Sequence, residues 1–341
     1  MATFLLAAPL GLPVGLPAVE ASDDGLFARV EIAPLKNGLL PIPANMSVAI
    51  EIGTSDRDTL DRELLPYDNN LFLVSAEPLI DKYARGLARF PKGDGDTFQP
   101  LGHHNPRGLI LPLAISDGGP AAGEIKTFNV GANAGCSSML PVDKTSNRLK
   151  WCRHTKEKRE VPSVTLGTLL QWIGNERPIE FIKIDAQGMD LRVIESAGSA
   201  ISRVRRFQLE VISDDCHGLY VGQPRCSEVL LHAEKLGFSP AAEVFCKPRV
   251  PRSPKWRRTA WGCELEVVFL ARGVAITEPL KRFHKVAMNG CIGMAPNDAP
   301  PSELNGTLVM EGAGKWSRDG HRVPDDGFRE RYLCRKRLIT S

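Results

Sequence analysis

Two acidic residues follow apolar segments in positions where a ligand could meet them. Glu51 lies two positions before Gly53 in EIGTSD, and Glu77 precedes a proline in SAEP. If both segments are parallel strands, the carboxylates lie at the edge where open α/β sheets bind ligands. A GxGxxG motif, which lets pyrophosphate approach bare backbone, is absent there. Asp56 and Asp58 would repel phosphate, so the pattern favours a ligand that is cationic or neutral at this point.

The two carboxylates are typical of a site for S-adenosylmethionine. Its methionyl amine and sulfonium are positively charged, and its ribose diol offers two hydrogen-bond donors to a carboxylate. We therefore expect S-adenosylmethionine as the cofactor. The alternative for both Glu51 and Glu77 is an ion pair with a neighbouring lysine or arginine, and the sequence leaves it open.

Short β-branched segments alternate with helical periodicity from residue 47 onward. Strands are predicted at 47–53, 71–77, 109–116, 181–188, 206–213, 241–247 and 264–271, and helices at 58–65, 79–90, 164–174, 191–201 and 227–238. The short connection between the last two strands leaves no room for a helix, so they are expected to be antiparallel. This order predicts an α/β fold with a mostly parallel seven-stranded sheet, an antiparallel last strand and helices on both faces.

Seven short segments form a pattern along this alternation. They are EIGTSDRDT (51–59), SAEP (75–78), LAISD (113–117), GCSSM (135–139), VPSVTLGTLL (161–170), FIKIDAQGMDLRVIESAG (181–198) and FQLEV (207–211). The pattern resembles that of the FkbM-type methyltransferases over about residues 47–271. The resemblance implies a Rossmann-like class I methyltransferase fold, and O-methylation of a carbohydrate or related small hydroxylated acceptor by S-adenosylmethionine.

The resemblance also implies a set of cofactor-binding residues. They are Glu51, Gly53, Thr54, Ser55, Asp56, Glu77, Ser116 and Asp117. The first five would surround the methionyl part of the cofactor, and Glu77 would accept the ribose hydroxyls. Ser116 and Asp117 would lie beside the adenine.

Catalysis is expected at Asp185, which the resemblance places against the substrate and the methyl group. Methyl transfer is an in-line displacement, so the enzyme must align the acceptor oxygen and remove its proton. His217 in DDCHGLY is a second candidate base. The alternatives are that Asp185 caps the turn after its strand and that His217 is a surface residue. Gln187, Ser137 and Ser138 are expected on the substrate side, although a polar turn explains the serines equally well.

Two residues depart from the family pattern and support a non-catalytic alternative. Arg57 stands where the family often has a second glycine, and Gln187 stands where it often has a glutamate. A methyltransferase-like protein that binds a glycan or a protein partner therefore remains an alternative. A third hypothesis, an RNA methyltransferase, depends on the basic stretches 148–159 and 247–258.

Composition excludes none of these hypotheses but limits the partners. The chain has 341 residues, of which 43% are hydrophobic, and its formal net charge is +3. This size suits one large or two modest globular domains, and so small a charge gives no argument for nucleic-acid or membrane binding by the whole molecule. We expect a small-molecule or glycan acceptor, no stable nucleic-acid partner and no membrane span in the body of the chain.

The eight cysteines contain no CxxC pair, so no metal site is expected. Two interpretations stay open: buried thiols of a cytosolic protein, or a disulfide between Cys216 and Cys226 in an oxidising compartment. The localisation is correspondingly open between a soluble cytoplasmic protein and the secretory lumen, the latter if residues 1–21 act as a signal. In that lumen, Asn45 and Asn305 would be candidate glycosylation sites.

Three regions are predicted along the chain. Residues 1–45 form an apolar leader, either a signal or a disordered segment, and residues 46–274 form the methyltransferase domain. Within that domain, the small-residue composition of 117–160 predicts an insertion with at most one hairpin strand, at 125–130. Residues 275–341 lose periodicity and are expected to be a loosely structured tail.

Overall fold

The computed structural model describes most of the chain between residues 33 and 274. The described residues are 33–55, 60–87, 106–118, 124–132, 134–145, 152, 154–241, 244, 246–247, 264–274, 307–311 and 331–335. Residues 1–32 of the leader predicted at 1–45, Asn305 and most of the tail predicted at 275–341 lie outside them. The remaining part of that leader is not a separate segment, since Leu40 and Ile42 pack in the core of the domain and the N–H of Leu40 donates to the Trp172 carbonyl at 2.8 Å. Within these ranges, no helix is both long and apolar enough to cross a membrane.

Twelve strands and five α-helices occur in the described ranges. The strands are β1 (Ser47–Ile52), β2 (Leu71–Ala76), β3 (Gly108–Leu111), β4 (Ala114–Ser116), β5 (Glu124–Gly131), β6 (Thr155–Thr165), β7 (Ile179–Ile184), β8 (Arg206–Ile212), β9 (Phe238–Pro240), β10 (Glu264–Ala271), β11 (Thr307–Glu311) and β12 (Arg331–Arg335). The helices are α1 (Leu60–Glu63), α2 (Ile80–Leu87), α3 (Leu166–Ile173), α4 (Asp190–Glu195) and α5 (Cys226–Lys235).

Seven of these strands form the main sheet, in the order β3-β2-β1-β7-β8-β10-β9. β1 pairs in parallel with β2 and β7, and β7 pairs in parallel with β8. β10 runs antiparallel to both of its neighbours, β8 and β9. This confirms the predicted α/β fold with a mostly parallel seven-stranded sheet. The strand order reverses between β1 and β7, and their carboxyl ends therefore form the switch point where such sheets bind ligands.

Apolar side chains cover both faces of the main sheet. Alternate strand residues, such as Val48, Ile50 and Phe207, pack on the side of α3, α4 and α5. The opposite face is smaller and packs Ala49, Leu73 and Phe181 against Leu60 of α1. Because side chains alternate along a strand, one segment such as β1 serves both clusters.

The predicted strand at 109–116 is wrong as a single element. It divides into β3, in the main sheet, and β4, which pairs in parallel with β6 in a separate three-stranded sheet of order β4-β6-β5. Pro112 lies between the two strands. Proline has no N–H to donate to a strand ladder, so the chain leaves the main sheet at this residue.

The predicted insertion at 117–160 contains more regular structure than its composition suggested. The predicted strand at 125–130 lies within β5, which forms an antiparallel hairpin with β6. β6 was not predicted, because its first half, TKEKRE, is a charged run that is largely exposed. Its second half is buried against the domain and ends at Thr165, where α3 begins.

Two other predicted elements differ from the structure. The helix predicted at 191–201 ends at Glu195 and is followed by a 3-10 segment, Gly198–Arg203. The strand predicted at 241–247 is wrong, since the edge strand is Phe238–Pro240 and the described members of 241–247 lie in no strand. Gly237, at φ 90°, ends the turn after α5, so the chain enters β9 at once.

Disulfides join the cysteines whose side chains the structure describes. Cys136 is bonded to Cys152, and Cys226 is bonded to Cys246, with Cα–Cα distances of 5.2 Å in both pairs. Cys216 is also disulfide-bonded. The Cys216–Cys226 pair considered from the sequence is therefore wrong, and so is the buried-thiol interpretation for these five residues. Sequence spacing could not decide this, because pairing needs Cα atoms within about 7 Å in the folded chain.

Candidate functional site

Gly53 lies where the carboxyl ends of β1, β2 and β7 meet. Its N–H donates to the Ala76 carbonyl at 3.0 Å, and the N–H of Asp185 donates to the Ile52 carbonyl at 2.9 Å. A Cβ at position 53 would lie 2.0 Å from the carbonyl oxygen of Asp185, and φ at this position is 82°. The positive φ disfavours a residue with a Cβ, and the carbonyl of Asp185 leaves no room for one. Glycine is therefore required here by the neighbouring backbone.

Glu77 joins the end of β2 to the end of β1. Its side chain is 3% exposed, and its two carboxylate oxygens accept hydrogen bonds from the N–H of Ser55 at 2.7 Å and of Leu79 at 2.9 Å. Burial raises the pKa of the Glu77 carboxyl, while the charge of Lys82 and the two N–H groups oppose that rise. Ser55 has φ of 57°, a conformation that turns its N–H towards this carboxylate.

Glu51 is held in the sheet interior beside these residues. Its Oε2 accepts a hydrogen bond from the N–H of Leu60 at 3.1 Å, and its Oε1 lies 3.5 Å from Nζ of Lys183 on β7. The carboxylate is 2% exposed. Glu51 therefore makes the ion pair with a lysine that the sequence left open. Its two contacts link β1 to β7 and to α1.

Thr54 presents a buried hydroxyl to the same turn. The side chain is 4% exposed, and Oγ1 has no hydrogen-bond partner in the described structure. A buried hydroxyl left without a partner costs free energy, so such a group marks a place for a ligand or water. Asp56, Arg57 and Asp58 follow directly and lie outside the described residues.

Ser116 and Asp117, the residues predicted to lie beside the adenine, reach this region from the separate three-stranded sheet, which is called the second sheet below. Ser116 is buried at the end of β4, and Ala114 of the same strand packs in one apolar cluster with Leu79, two residues after Glu77. Asp117 is exposed, and its Oδ2 lies 3.7 Å from Nη1 of Arg192 on α4. β4 therefore runs beside the turn that follows Glu77.

Asp185 and Gln187 contact each other directly after β7. Nε2 of Gln187 donates a hydrogen bond to Oδ1 of Asp185 at 2.6 Å, and the hydroxyl of Tyr220 donates to Oε1 of Gln187 at 2.8 Å. The hydroxyl of Ser138 donates to the Gln187 backbone carbonyl at 2.7 Å. The structure thus brings together three residues named from the sequence and adds Tyr220, which no local pattern singled out.

A family model decides what kind of protein has this geometry. The model of the methyltransferase FkbM domain matches residues 52–240, which is more than half of the chain. The chain belongs to the FkbM methyltransferase family. The resemblance described from the sequence is thereby confirmed, and the protein is a methyltransferase by family. No curated protein and no solved structure matched the chain.

Other carboxyl groups surround Asp185 in this FkbM methyltransferase. Burial, followed by the charge of Asp185, raises the pKa of Asp190 to about 8, although the N–H of Gly188 donates to its carboxyl at 3.1 Å. The same two causes, in the same order, raise the pKa of Glu264 to about 7. Burial likewise raises the pKa of Glu210 well above its ordinary value, with Asp185 again adding to the effect. In the described part of the chain, no group of three or more His, Cys, Asp or Glu side chains could hold a metal ion.

The contacts described for Ser137 and His217 are with groups other than Asp185 and Gln187. The hydroxyl of Ser137 accepts a hydrogen bond from the N–H of Gly131 at 3.2 Å and so supports the end of β5. His217 is exposed on the loop after β8. Hydrogen bonds from Thr145 lower the pKa of Asp143, and the charge of His217 adds to that lowering, which places His217 near this surface carboxylate.

One of the two basic stretches contributes to folding within the FkbM domain. Nη1 of Arg159, on β6, lies 2.5 Å from Oδ1 of Asp81 on α2, and Arg159 also pairs with Glu157. Burial disfavours ionisation of Asp81, but the hydrogen bond and charge of Arg159, together with the backbone hydrogen bond and the charge of Arg85, outweigh it and lower the pKa of Asp81. Arg159 therefore ties the second sheet to α2. Residues 148–151 and 248–258 lie outside the described residues.

Proposed function

We propose that this FkbM-family protein is an S-adenosylmethionine-dependent O-methyltransferase that acts on a hydroxyl of a carbohydrate or related small acceptor. The observation that carries the proposal is the junction of Gly53, Glu77 and Asp185 at the switch point of the sheet. A donor held by the first two strand ends would lie beside the carboxylate that follows β7. This is the arrangement that transfer to an acceptor requires.

The residues at the end of β1 and β2 fit the cofactor. Each Glu77 oxygen uses one lone pair for a backbone N–H and keeps another for a ribose hydroxyl. The buried Thr54 hydroxyl, which lacks a partner, lies one residue beyond Gly53. Gly53 and Thr54 are proposed to hold the methionyl part of the cofactor, together with Glu51, Ser55 and Asp56. Ser116 and Asp117 are proposed to lie beside the adenine.

Asp185 is proposed to receive the proton of the acceptor hydroxyl. When bound, S-adenosylmethionine would supply a methyl group on a positively charged sulfur, and a neutral thioether would be its leaving group once the acceptor oxygen takes the methyl. The hydroxyl proton passes to the carboxylate of Asp185, which then returns it to solvent. His217 is proposed as a second candidate base, and Ser137 and Ser138 are proposed to border the acceptor region.

Cofactor binding is the first property to test. Calorimetry with S-adenosylmethionine should show binding by the wild type, and Glu77→Gln should weaken it about tenfold or more, because one carboxylate acceptor is lost. The matched control is Glu234→Gln on the exposed part of α5, which should keep wild-type affinity. A folded wild-type protein that binds no S-adenosylmethionine would contradict the proposal. A screen of sugar acceptors, read by mass spectrometry, follows from a positive result.

The non-catalytic alternative depends on Arg57 and Gln187. The Asp185 carboxylate keeps a hydrogen-bond donor at position 187, so the glutamine is compatible with a working Asp185. We therefore prefer the catalytic proposal. Methyl transfer to any sugar in the acceptor screen would exclude the alternative, and RNA methylation would instead show as product on RNA with steeply salt-dependent affinity.

A further inference from the structure

Gln187 adopts a backbone conformation that the surrounding residues maintain. Its φ is 51°, in the left-handed region that non-glycine residues rarely occupy. Gly188 follows at φ 91°, and a Cβ there would lie 2.9 Å from Cδ2 of Tyr220. The glycine therefore lets the tyrosine ring pack against the loop. Ser138 adds the hydrogen bond to the Gln187 carbonyl. Strained residues of this kind persist only where neighbours determine them.

Tyr220 is itself held by a neighbouring strand-like segment. Residues 142 and 220 form an antiparallel bridge, and the N–H of Val221 donates to the Pro141 carbonyl at 2.9 Å. The N–H of Asp143 donates to the Leu219 carbonyl at the same distance. Segment 138–143 thus contacts Gln187 directly through Ser138 and indirectly through Tyr220.

The tyrosine hydroxyl decides which way the Gln187 amide points. Burial raises the pKa of Tyr220, with the charges of Glu210 and Asp185 adding to the effect, so its hydroxyl stays protonated and acts as a donor. A donor needs an acceptor, and only Oε1 of the amide accepts. With Oε1 turned to Tyr220, Nε2 faces Asp185. A glutamate at position 187 would instead add a carboxyl to the group already formed by Asp185, Asp190, Glu210, Glu264 and Glu266.

We propose that Gln187 and Tyr220 are positioning residues that hold the Asp185 carboxylate in one orientation. The inference rests on the proposed function of Asp185 as the group that receives the acceptor proton. It assigns Gln187 a role towards Asp185 and not towards the substrate. A donor fixed on Oδ1 leaves the lone pairs of Oδ2 for the acceptor hydroxyl.

The test is the carboxyl carbon-13 signal of Asp185 in the full chain labelled at aspartate, recorded at one pH and assigned by its loss in Asp185→Asn. Gln187→Met removes the donor, so it should move this signal from its wild-type position, since a hydrogen bond to the carboxylate is lost. Gln187→Glu replaces the donor with a second carboxylate and should also move the signal. Gln171→Glu, at an exposed position on α3, is the matched control and should leave the signal in place.

Tyr220→Phe provides a second variant that keeps the ring packed on Gly188 and removes only the hydroxyl. It should move the Asp185 signal by a smaller amount than Gln187→Met does, because the amide stays in place but is free to turn. Asp185 signals at the wild-type position in Gln187→Met, Gln187→Glu and Tyr220→Phe would overturn the inference. The measurement needs neither cofactor nor acceptor. A failure of S-adenosylmethionine to bind would therefore refute the proposed function and leave this measurement interpretable.

Discussion

At Gly53 the ends of three strands come so close together that no side chain fits between them. The position combines φ of 82° with a carbonyl oxygen of Asp185 where a Cβ would lie. The same residue therefore sets the distance between the proposed cofactor turn and the proposed catalytic carboxylate. Glu77 reinforces this junction by accepting N–H groups from both of the turns that follow β1 and β2.

Gly53→Ala is expected to separate these strand ends. The left-handed conformation and the collision with backbone together should lower the free energy of unfolding by roughly 3 kcal/mol or more. Gly273→Ala is the matched control, since Gly273 has φ of 77° but no atom within 4 Å of the position that an added methyl group would take. It should lose only about 1–2 kcal/mol. Urea unfolding measures both, and equal losses in the two variants would show that the Asp185 carbonyl does not restrict position 53.

The second sheet shows how elements outside the main sheet shape the site. The β5–β6 hairpin packs Phe128 and Val161 around Leu79, while β4 joins it to the chain that leaves β3. The Cys136–Cys152 disulfide closes the loop between its two strands. That loop contains Ser138, so the disulfide and the Gln187 contact belong to one segment.

Replacement of both Cys136 and Cys152 by serine is expected to loosen this loop. A disulfide with a sequence separation of 16 should contribute about 3 kcal/mol to the free energy of unfolding. Hydrogen exchange should rise in residues 134–145 while β1 and β7 keep their protection. The comparison variant replaces Cys226 and Cys246, which should lose comparable stability without faster exchange in residues 134–145. Unchanged exchange in that loop in the first variant would show that the hairpin alone orders it.

Buried acidic side chains make the stability of the whole folded chain depend on pH. The pKa of Asp190 is about 8 and that of Glu264 about 7 in the folded chain, against ordinary values near 4 in an unfolded one. The folded state therefore binds more protons than the unfolded state between these values. Stability that is fully present below pH 4 is lost progressively as the pH rises through 7 and 8.

We expect a lower melting temperature at pH 9 than at pH 6. Both values lie above the acid range in which other groups titrate. Asp190→Asn imitates the neutral carboxyl, so it should remove the part of this fall that lies around pH 8. Calorimetric melting across the pH range measures the slope. Asp215→Asn, at an exposed position, should leave the wild-type slope unchanged. A steeper slope in Asp190→Asn would contradict the assignment.

Most strands of the main sheet, most of its helices and the resemblance to the family could be predicted from the sequence. β1, β2, β8 and β10 are apolar runs whose pattern is complete within one segment, so local periodicity was enough to find them. The motifs at 51–59 and 181–198 were likewise contiguous. Glu77 could be named because it follows directly on such a strand, whereas Asp185 and Gln187 were named from the resemblance of 181–198 to the family pattern.

Contacts between distant segments could not be predicted from the sequence. Tyr220 and Gln187 are 33 residues apart, Ser138 and Gln187 are 49 apart, and neither pair leaves a local sequence signal. The departure of β4 from the main sheet and the partners of Cys136 and Cys226 have the same origin. Periodicity reports which face of a segment is buried, whereas these contacts depend on how separate segments pack against one another. For that reason the site residue that the sequence missed, Tyr220, is one held in place by another segment.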